Sequence, residues 1–159
     1  MSLLWAPWRV KYVTGKKKKK CVFCEAAKSP KSQHVIFKTK YSLVVLNIYP
    51  YNNGHVMVAP LRHIGDVSSL TEQEAMDMFR AVKKIKKILD KVMKAHGYNI
   101  GMNQGGVSGA GIPGHLHLHI VPRWLGDTNF MPTIFSTRVI SQSLKELQKK
   151  LIDAYAKTN

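Results

Sequence analysis

Acidic side chains are scarce in this sequence. It has 9 aspartates and glutamates against 25 lysines and arginines, so the formal net charge at pH 7 is +16. Such a charge attracts phosphate-rich ligands, and it also predicts loose, salt-sensitive affinity for nucleic acid. The charge alone does not decide between these partners. Many of the lysines lie in a predicted amphipathic helix, where lysines usually form the solvent-exposed face and need no binding role.

Long apolar runs are also missing. No run approaches the ~20 residues that are needed to cross a bilayer. The N-terminal Leu3-Leu4-Trp5 is cut short by Pro7 and Arg9 instead of extending into the apolar region of a signal peptide. These absences predict a cytoplasmic protein with no membrane association. With 159 residues, of which 45% are hydrophobic, we expect a single domain over 1–159 with its own core.

Cysteine occurs only twice, in Cys21-Val22-Phe23-Cys24. In a cytosolic chain such a pair is more typical of a metal site or of reduced thiols than of a disulfide. A tetrahedral Zn²⁺ site needs two further ligands, and His63 and His115 are the candidates to supply them. The residues alone leave a structural zinc site and a metal-free pair of thiols both open.

The apolar pattern predicts five short strands and two helices. A long helix of about 25 residues begins at the capping box Thr71–Glu74 and stops at His96-Gly97, with His96 as its C-terminal cap. A second capping box, Ser143–Glu146, predicts a C-terminal helix. The strands are predicted at 34–38, 42–46, 55–60, 98–104 and through the histidine-rich run that closes at Pro122.

The N-terminal residues 1–20 are predicted to be an extension of the domain. Trp5 and Trp8 favour a segment that packs onto the body of the protein or onto a second subunit. Gly15 and the run Lys16–Lys20 predict a loop, because like charges repel one another and extend the chain.

The most informative stretch is Gly114–Trp124, in which histidines alternate with apolar residues. In a strand, His115, His117 and His119 would share one face, with neighbours roughly 7 Å apart, a separation that suits several oxygens of a phosphate chain. A neutral imidazole is a nucleophile when its other nitrogen carries the proton, and a charged neighbour stabilises a phosphoryl transition state. A metal-binding histidine cluster and a chance histidine-rich tract are the alternatives.

The run His-Leu-His-Leu-His-Ile-Val resembles the signature of the histidine triad (HIT) superfamily of nucleotide hydrolases and transferases. The continuation Pro-Arg-Trp-Leu-Gly-Asp-Thr-Asn-Phe (Pro122–Phe130) is similar to the microbial branch that includes diadenosine tetraphosphate (Ap4A) phosphorylases and hydrolases. The resemblance extends from Leu4-Trp5-Ala6-Pro7-Trp8-Arg9 to about Ile140. It implies an α+β fold with an antiparallel sheet of about five strands, a homodimer, and cleavage of Ap4A-type substrates by phosphorolysis or hydrolysis, with the continuation favouring phosphorolysis.

The resemblance also implies catalytic roles. His117 would attack the α-phosphorus and form a nucleotidyl-histidine intermediate that water or inorganic phosphate resolves, while its far nitrogen donates to a backbone carbonyl. His119 would hydrogen-bond phosphate oxygens beside it, and His55, which follows Gly54, would lie close to the triad. Many relatives bind zinc, with no organic cofactor. The matching ligands in this chain are Cys21, Cys24, His63 and His115.

Nucleotide contacts follow from the same resemblance. Asn47 would hold the ribose hydroxyls, and Val45 and Met57 would form apolar walls for the base. Gln104 would contact the phosphates and the leaving group, with its neighbour Asn103 able to exchange roles with it. Structural alternatives stay open, since Asn47 could simply end its strand and the two amides could cap the glycine-rich loop.

One segment departs from the family pattern. Many relatives carry Gly-Gln-Ser/Thr-Val shortly before the triad, whereas this chain has Gly109-Ala110-Gly111-Ile112-Pro113. Backbone N–H groups or a basic residue would have to replace the lost phosphate contacts, and Trp124 would stack on a second base or be buried. The alternatives to Ap4A cleavage are therefore a nucleoside phosphoramidate or adenylyl-lysine hydrolase and a non-catalytic nucleotide- or nucleic-acid-binding module.

Overall fold

The structure, a computed structural model, describes residues 20–29, 34–127 and 142–158. The predicted N-terminal extension, except for Lys20, and the end of the family continuation beyond Asp127 lie outside these residues. The strands are β1 (Val35–Lys38), β2 (Ser42–Leu46), β3 (Val56–Pro60), β4 (Gly97–Met102) and β5 (Leu118–Arg123). The helices are α1 (Val22–Lys28), α2 (Glu72–Met93) and α3 (Leu144–Ala156), with 3₁₀ turns at Val67–Ser69 and Gly106–Ser108.

The strands form one five-stranded sheet in the order β1-β2-β3-β5-β4, in which every neighbouring pair is antiparallel. This confirms the predicted α+β fold with its long helix and its C-terminal helix. The pairing aligns Met57 of β3 and Gly101 of β4 with His119 of β5. The centre of β5 therefore lies between two strands, which holds the end of the histidine run in place.

The two faces of the sheet have different partners because side chains alternate along each strand. On one face, Val44, Val58 and Ile120 are fully buried against residues of α2 and α3 such as Ile85 and Leu151. On the other face, α1 covers a smaller cluster. This second cluster consists of Phe23, Val35, Leu43, Val45 and Ala59. The α2 face carries the larger core, which leaves the opposite face free to carry a cavity.

The start of α2 is the predicted capping box. The Thr71 hydroxyl accepts from the Glu74 backbone N–H at 3.2 Å, and the Glu74 carboxylate accepts from the Thr71 N–H at 2.9 Å. The predicted stop is wrong, because α2 ends at Met93 and Lys94 is its C-cap in the left-handed conformation (φ 49°). His96 already donates its backbone N–H to Arg123 at 2.8 Å, so the chain has joined the sheet at that point.

Three further predictions need correction. Ser143 is the N-cap of α3, but its side chain makes no capping hydrogen bond, so the second capping box does not form. β4 ends at Met102, two residues earlier than predicted. β5 begins only at Leu118 and continues past Pro122 to Arg123. Pro122 is tolerated because the pairing of β5 with β3 has already stopped at Ile120.

The helix α1 was not predicted from the sequence. It has only seven residues, too few for an apolar period to be visible, and its single fully buried residue is Phe23. No helix among the described residues is both long and apolar enough to span a membrane.

Candidate active site

His117 lies at the centre of the site, just before β5. Its side chain is 4% exposed, and its Nδ1 atom is 2.8 Å from the backbone oxygen of His115. A carbonyl oxygen only accepts, so Nδ1 carries the hydrogen and Nε2 keeps its lone pair. Burial lowers the pKa of His117, and the hydrogen bond to His115 opposes that shift. The ring is therefore a neutral imidazole with a basic Nε2 atom.

His119 and His55 form a second pair beside it. The Nε2 atom of His55 is 2.9 Å from Nδ1 of His119, and the Tyr51 backbone N–H donates to Nδ1 of His55 at 3.1 Å. Because His55 accepts at Nδ1, its Nε2 carries the hydrogen and donates to His119. His119 must then carry its own hydrogen on Nε2. That N–H is the donor which His119 can offer to a ligand.

Both of these rings are neutral near pH 7. Burial, together with the neighbouring imidazoles His119 and His117, lowers the pKa of His55 to about 3. Burial and the adjacent His117 lower the pKa of His119 to about 4. The side-chain amide of Asn47 also contacts His55. Its Nδ2 is 3.2 Å from Nδ1 of His55, and its Oδ1 accepts from the Tyr49 N–H at 2.9 Å.

A cavity of about 620 Å³ opens in front of the histidines. This is a usual size for a small-molecule site, and its lining is mostly apolar with a few polar groups at one end, as in many cofactor and ligand pockets. The polar end is formed by Asn47, His117 and His119. The apolar wall comes from α1, β2, β3 and the segment after Asn47. Its main residues are Val22, Phe23, Ala26, Val45, Ile48 and Met57.

The glycine-rich loop forms another side of the cavity. Gly106 and the segment from Gly109 to Pro113 line it. Gly105 and Gly109 have positive φ angles of 81° and 86°, a backbone conformation that side-chain-bearing residues rarely adopt. The loop thus presents backbone and small apolar groups to the cavity, where relatives were expected to present polar side chains.

The structure brings most of the predicted site residues together. Asn47, His117 and His119 line the polar end of the cavity, His55 contacts His119 there, and Val45 and Met57 belong to the wall. The three triad rings also lie on one side of the chain, although only His119 is inside β5. His117 and His119 have ring centroids 4.8 Å apart, and Phe23 contacts both His115 and His117 at 5.1 and 4.9 Å.

Three predicted residues lie elsewhere. The Gln104 side chain accepts from the Val67 backbone N–H at 3.0 Å and does not line the cavity. Asn103 lies beside the glycine-rich loop, with its Nδ2 4.0 Å from the position of a Cβ on Gly109. The Trp124 indole donates to the Met93 carbonyl at 3.2 Å, at the end of α2. A role for any of them in binding is confined to ligand groups that extend beyond the cavity.

Sequence reasoning missed several lining residues. The sequence predicts no role for Phe23, although its place between the two cysteines puts it close to the candidate metal ligands. Tyr51, whose ring stacks on His55 at 5.0 Å, has no predicted role either. His34 also lines the cavity, and burial lowers its pKa. No pattern in the sequence singled it out.

A possible metal centre adjoins the cavity. Cys21, Cys24, His63 and His115 each offer one ligand atom, and these atoms all lie within 4.8 Å of one another. His115 Nδ1 is 3.2 Å from the Cys21 sulfur and 3.2 Å from His63 Nδ1, and His63 Nδ1 is 3.3 Å from the Cys24 sulfur. Ligand bonds of about 2.0–2.3 Å at tetrahedral angles place neighbouring donors at such separations. The four residues therefore fit a closed Cys₂His₂ metal site.

The tautomer of His115 agrees with this interpretation. Its Nε2 lies 2.8 Å from the Pro60 carbonyl oxygen, which only accepts, so Nε2 carries the hydrogen. Its Nδ1 lone pair then points at the two sulfurs and at His63. Such a backbone hydrogen bond behind a ligating imidazole is a usual feature of metal-binding histidines.

The five-stranded sheet, the alternating histidines and the cavity in front of them together define a histidine triad domain. The HIT domain family matches residues 28–124, and the chain belongs to this family. It is 33% identical over 167 residues to the AP-4-A phosphorylase of Mycobacterium tuberculosis, covering 99% of this chain and 86% of that protein. It is 34% identical to the asymmetrical bis(5'-nucleosyl)-tetraphosphatase of Schizosaccharomyces pombe, covering 69% of this chain and 60% of that one.

A solved structure is also similar. The Zn-bound histidine triad family protein from Mycobacterium smegmatis has a TM-score of 0.71 and 26% sequence identity, over 87% of this chain and 95% of that chain. Its zinc is a property of that protein. For the present chain, the separations among the Cys21, Cys24, His63 and His115 ligand atoms carry the argument for a metal.

Proposed function

We propose that this protein cleaves dinucleoside polyphosphates of the Ap4A type through a covalent nucleotidyl-histidine intermediate on His117. The observation that carries the proposal is the hydrogen bond from His117 Nδ1 to the His115 carbonyl at 2.8 Å. It leaves the Nε2 lone pair free on a ring that lines the cavity. The activities for which the phosphorylase and tetraphosphatase relatives are named support this substrate class.

In the first step, Nε2 of His117 attacks the α-phosphorus. A P–N bond forms, and the bond from that phosphorus to its bridging oxygen breaks, so the remaining polyphosphate leaves with the electron pair. The Nε2–H of His119 stabilises the phosphoryl oxygens, and His55 holds His119 in the tautomer that makes this donation possible. In the second step, water or inorganic phosphate attacks the same phosphorus and releases His117.

The cavity would hold one nucleotide. Its apolar wall, including Val45 and Met57, would receive the base, and Asn47 at the polar end would hold the ribose hydroxyls. The second nucleoside would then extend beyond the cavity. Gln104 and Asn103 would act on the leaving phosphates there, and Trp124 would contribute only if the second base reached the end of α2.

We also propose a structural zinc ion held by Cys21, Cys24, His63 and His115. A site closed by four protein ligands supplies folding energy and not catalysis, because no coordination position is left for a substrate. The His115 ring would be one of its ligands. The same residue's backbone carbonyl would fix the tautomer of His117.

A homodimer is part of the proposal. Within the described sheet β4 is an edge strand, and it exposes Ile100 at 47% and Met102 at 36%. An exposed apolar edge strand offers unpaired backbone groups that a second copy could satisfy. The single domain over 1–159 and the cytoplasmic location remain predictions from the sequence.

Product analysis tests the proposed reaction. Incubation of the protein with Ap4A should give ADP and ATP in the presence of phosphate if it is a phosphorylase, and AMP and ATP if water is the acceptor. Two molecules of ADP without phosphate would contradict attack at the α-phosphorus. Faster turnover of an AMP–amine conjugate would instead support the phosphoramidate hydrolase alternative.

Trapping of the intermediate tests the nucleophile. After acid quenching during turnover of Ap4A labelled at the α-phosphorus, we expect the label on the peptide that contains His117. Label on another residue, or turnover that survives replacement of His117, would overturn the mechanism. Tight nucleotide binding with no turnover of any substrate would support a binding module instead.

A further inference from the structure

The outer side of α2 carries a row of cations. The buried residues of α2, such as Met78, Ile85 and Leu89, lie on the side that faces the sheet. At 100° per residue, six of the seven basic residues from position 80 to 94 cluster on the opposite side, within about a third of the circumference, whereas Lys86 lies on the flank. We call these six residues the basic ridge. Its members are Arg80, Lys83, Lys84, Lys87, Lys91 and Lys94.

Most of the ridge has no ion-pair partner within the described part of the chain. Arg80, Lys83, Lys87 and Lys91 are exposed and form none of the ion pairs that the structure shows there. Like charges three and four residues apart on a helix repel one another, so this arrangement costs stability in the isolated protein. A partner that supplied negative charge along the ridge would remove that cost.

The nearby acidic residues are committed elsewhere. Asp77 accepts hydrogen bonds from Thr39 and from Ser42 at the turn between β1 and β2. Asp90 binds Lys86 at 2.8 Å and accepts from the Tyr98 hydroxyl at 2.8 Å, on the flank of α2. Neither carboxylate forms an ion pair with a residue of the ridge.

The ridge is also separated from the active site. α2 packs on the face of the sheet that carries the larger core, whereas the cavity lies on the face covered by α1. No ridge residue lines the cavity or contacts a triad histidine. Attraction of the small substrate into the cavity is therefore not a sufficient role for these six cations.

We infer that the basic ridge binds the phosphate backbone of double-stranded nucleic acid, without reading its sequence. From Arg80 to Lys94 the ridge extends for about 21 Å, and Lys83, Lys87 and Lys91 recur about every 6 Å along the axis. A regularly spaced row of lysines suits a regular polymer of phosphates. Between Arg80 and Lys94 no large apolar or aromatic side chain is exposed to enter a bilayer or to stack on unpaired bases, although Met76 and Phe79 are exposed just before Arg80 on the same helix.

The affinity for a short labelled DNA duplex of arbitrary sequence, measured by fluorescence anisotropy at several salt concentrations, tests this inference. Five of the six ridge cations are counted as phosphate contacts, because Lys84 lies over the Tyr155 ring, and they predict a slope of log K against log salt of about −4.5. A single variant combines Arg80→Gln, Lys83→Gln, Lys87→Gln and Lys91→Gln. In this variant we expect the slope to become shallower, about −1. Ap4A turnover should be unchanged, because these four residues are remote from the cavity.

The chain offers a matched control. Replacement of Lys16, Lys17, Lys18 and Lys19 by Gln also removes four positive charges, but from the N-terminal lysine run. We expect this control variant to keep most of the salt dependence of the wild-type protein. Equal losses in the two variants would mean that net charge alone drives binding, and a loss confined to the control would locate the site in the lysine run. Either result would overturn the inference.

Two other probes check the choice of partner. For a single-stranded oligonucleotide of the same length, the slope of log K against log salt should be shallower than for the duplex. Each phosphate contact contributes less to that slope in a single strand. Vesicles that contain anionic lipid should bind more weakly than the duplex at the same concentration of phosphate groups. Tighter binding of the vesicles, with the same dependence on the ridge, would replace nucleic acid by a membrane surface as the partner.

Discussion

His117 takes its orientation from His115, the residue two positions before it. The Nδ1–H of His117 donates to the His115 backbone oxygen at 2.8 Å, while the His115 ring directs its own Nδ1 toward Cys21, Cys24 and His63. One residue thus belongs to both the candidate metal centre and the histidine row His115, His117 and His119. Phe23, which lies between the two cysteines, packs on both rings and forms a second connection.

Replacement of the proposed nucleophile should abolish turnover and preserve the fold. His117→Ala is expected to lower kcat by at least about 10³-fold. Neither of the other triad histidines has a free nitrogen lone pair at the position of His117 Nε2. His96→Ala is the matched control, since His96 is exposed and, among the described residues, its ring accepts a hydrogen bond from the Leu125 N–H alone. Steady-state kinetics and thermal unfolding of both variants provide the measurement. Substantial residual turnover by His117→Ala would rule out the covalent mechanism.

Loss of the metal should loosen the wall of the cavity. His63 is the exposed member of the ligand set and is not next to His117 in the sequence. His63→Ala therefore tests the role of the metal without changing any of the histidines 115, 117 and 119. We expect this variant to lose bound zinc and to unfold about 10 °C lower, which corresponds to several kcal/mol for a domain of this size.

The same variant should also bind AMP more weakly, by about tenfold, because Val22, Phe23 and Ala26 of α1 line the cavity next to the cysteines. Zinc content by atomic absorption and AMP affinity by calorimetry measure the two effects separately. Unchanged AMP affinity in a zinc-free protein would show that α1 keeps its position without the metal.

The buried histidines should make the protein less stable in mild acid. The pKa of His55 is lowered to about 3 in the folded state, from an ordinary value of 6.5. Between these two values the unfolded chain binds the proton and the folded chain does not, so stability is greatest above pH 6.5 and falls as the pH decreases. From pH 7 to pH 5, His55 alone should cost about 2 kcal/mol.

Urea unfolding of the wild-type protein and of His55→Gln at both pH values measures this contribution. The variant has no imidazole at position 55, so its free energy of unfolding should depend less on pH by about that amount, whatever its stability at pH 7. Identical pH dependence in the two proteins would mean that His55 is protonated in the folded state.

The two candidate capping boxes should respond differently to the same type of substitution. Thr71→Ala should lower the free energy of unfolding by about 1 kcal/mol, because it removes a side-chain hydrogen bond to the Glu74 N–H. Ser143→Ala should have an effect close to zero, because the Ser143 side chain makes no capping hydrogen bond. Chemical denaturation of both variants measures the difference, and equal losses would contradict the observed helix starts.

The sequence was sufficient for the elements whose signals are local. The period of α2 and its capping box predicted its start, and the β-branched segments predicted β1 to β3 within a residue. The end of α2 was missed by three residues, because pairing with β5 begins at His96 and ends the helix before the glycine is reached. The histidine alternation likewise predicted a common side for the three rings, although the strand itself starts only at Leu118.

The composition of this chain and the order of its residues thus determined its fold class and the identity of the histidine row, because alternation and helical period depend only on neighbouring residues. Tertiary structure alone decided that Phe23 lies against His117, that Tyr51 sets the tautomer of His55, and that Gln104 turns away from the cavity toward Val67. The contacts of Phe23 and Gln104 join segments that are far apart in the sequence and depend on the packing of the whole sheet, so no local pattern encodes them. Tyr51 is only four residues from His55, and the path of the turn between them, which no apolar period marks, decides that contact.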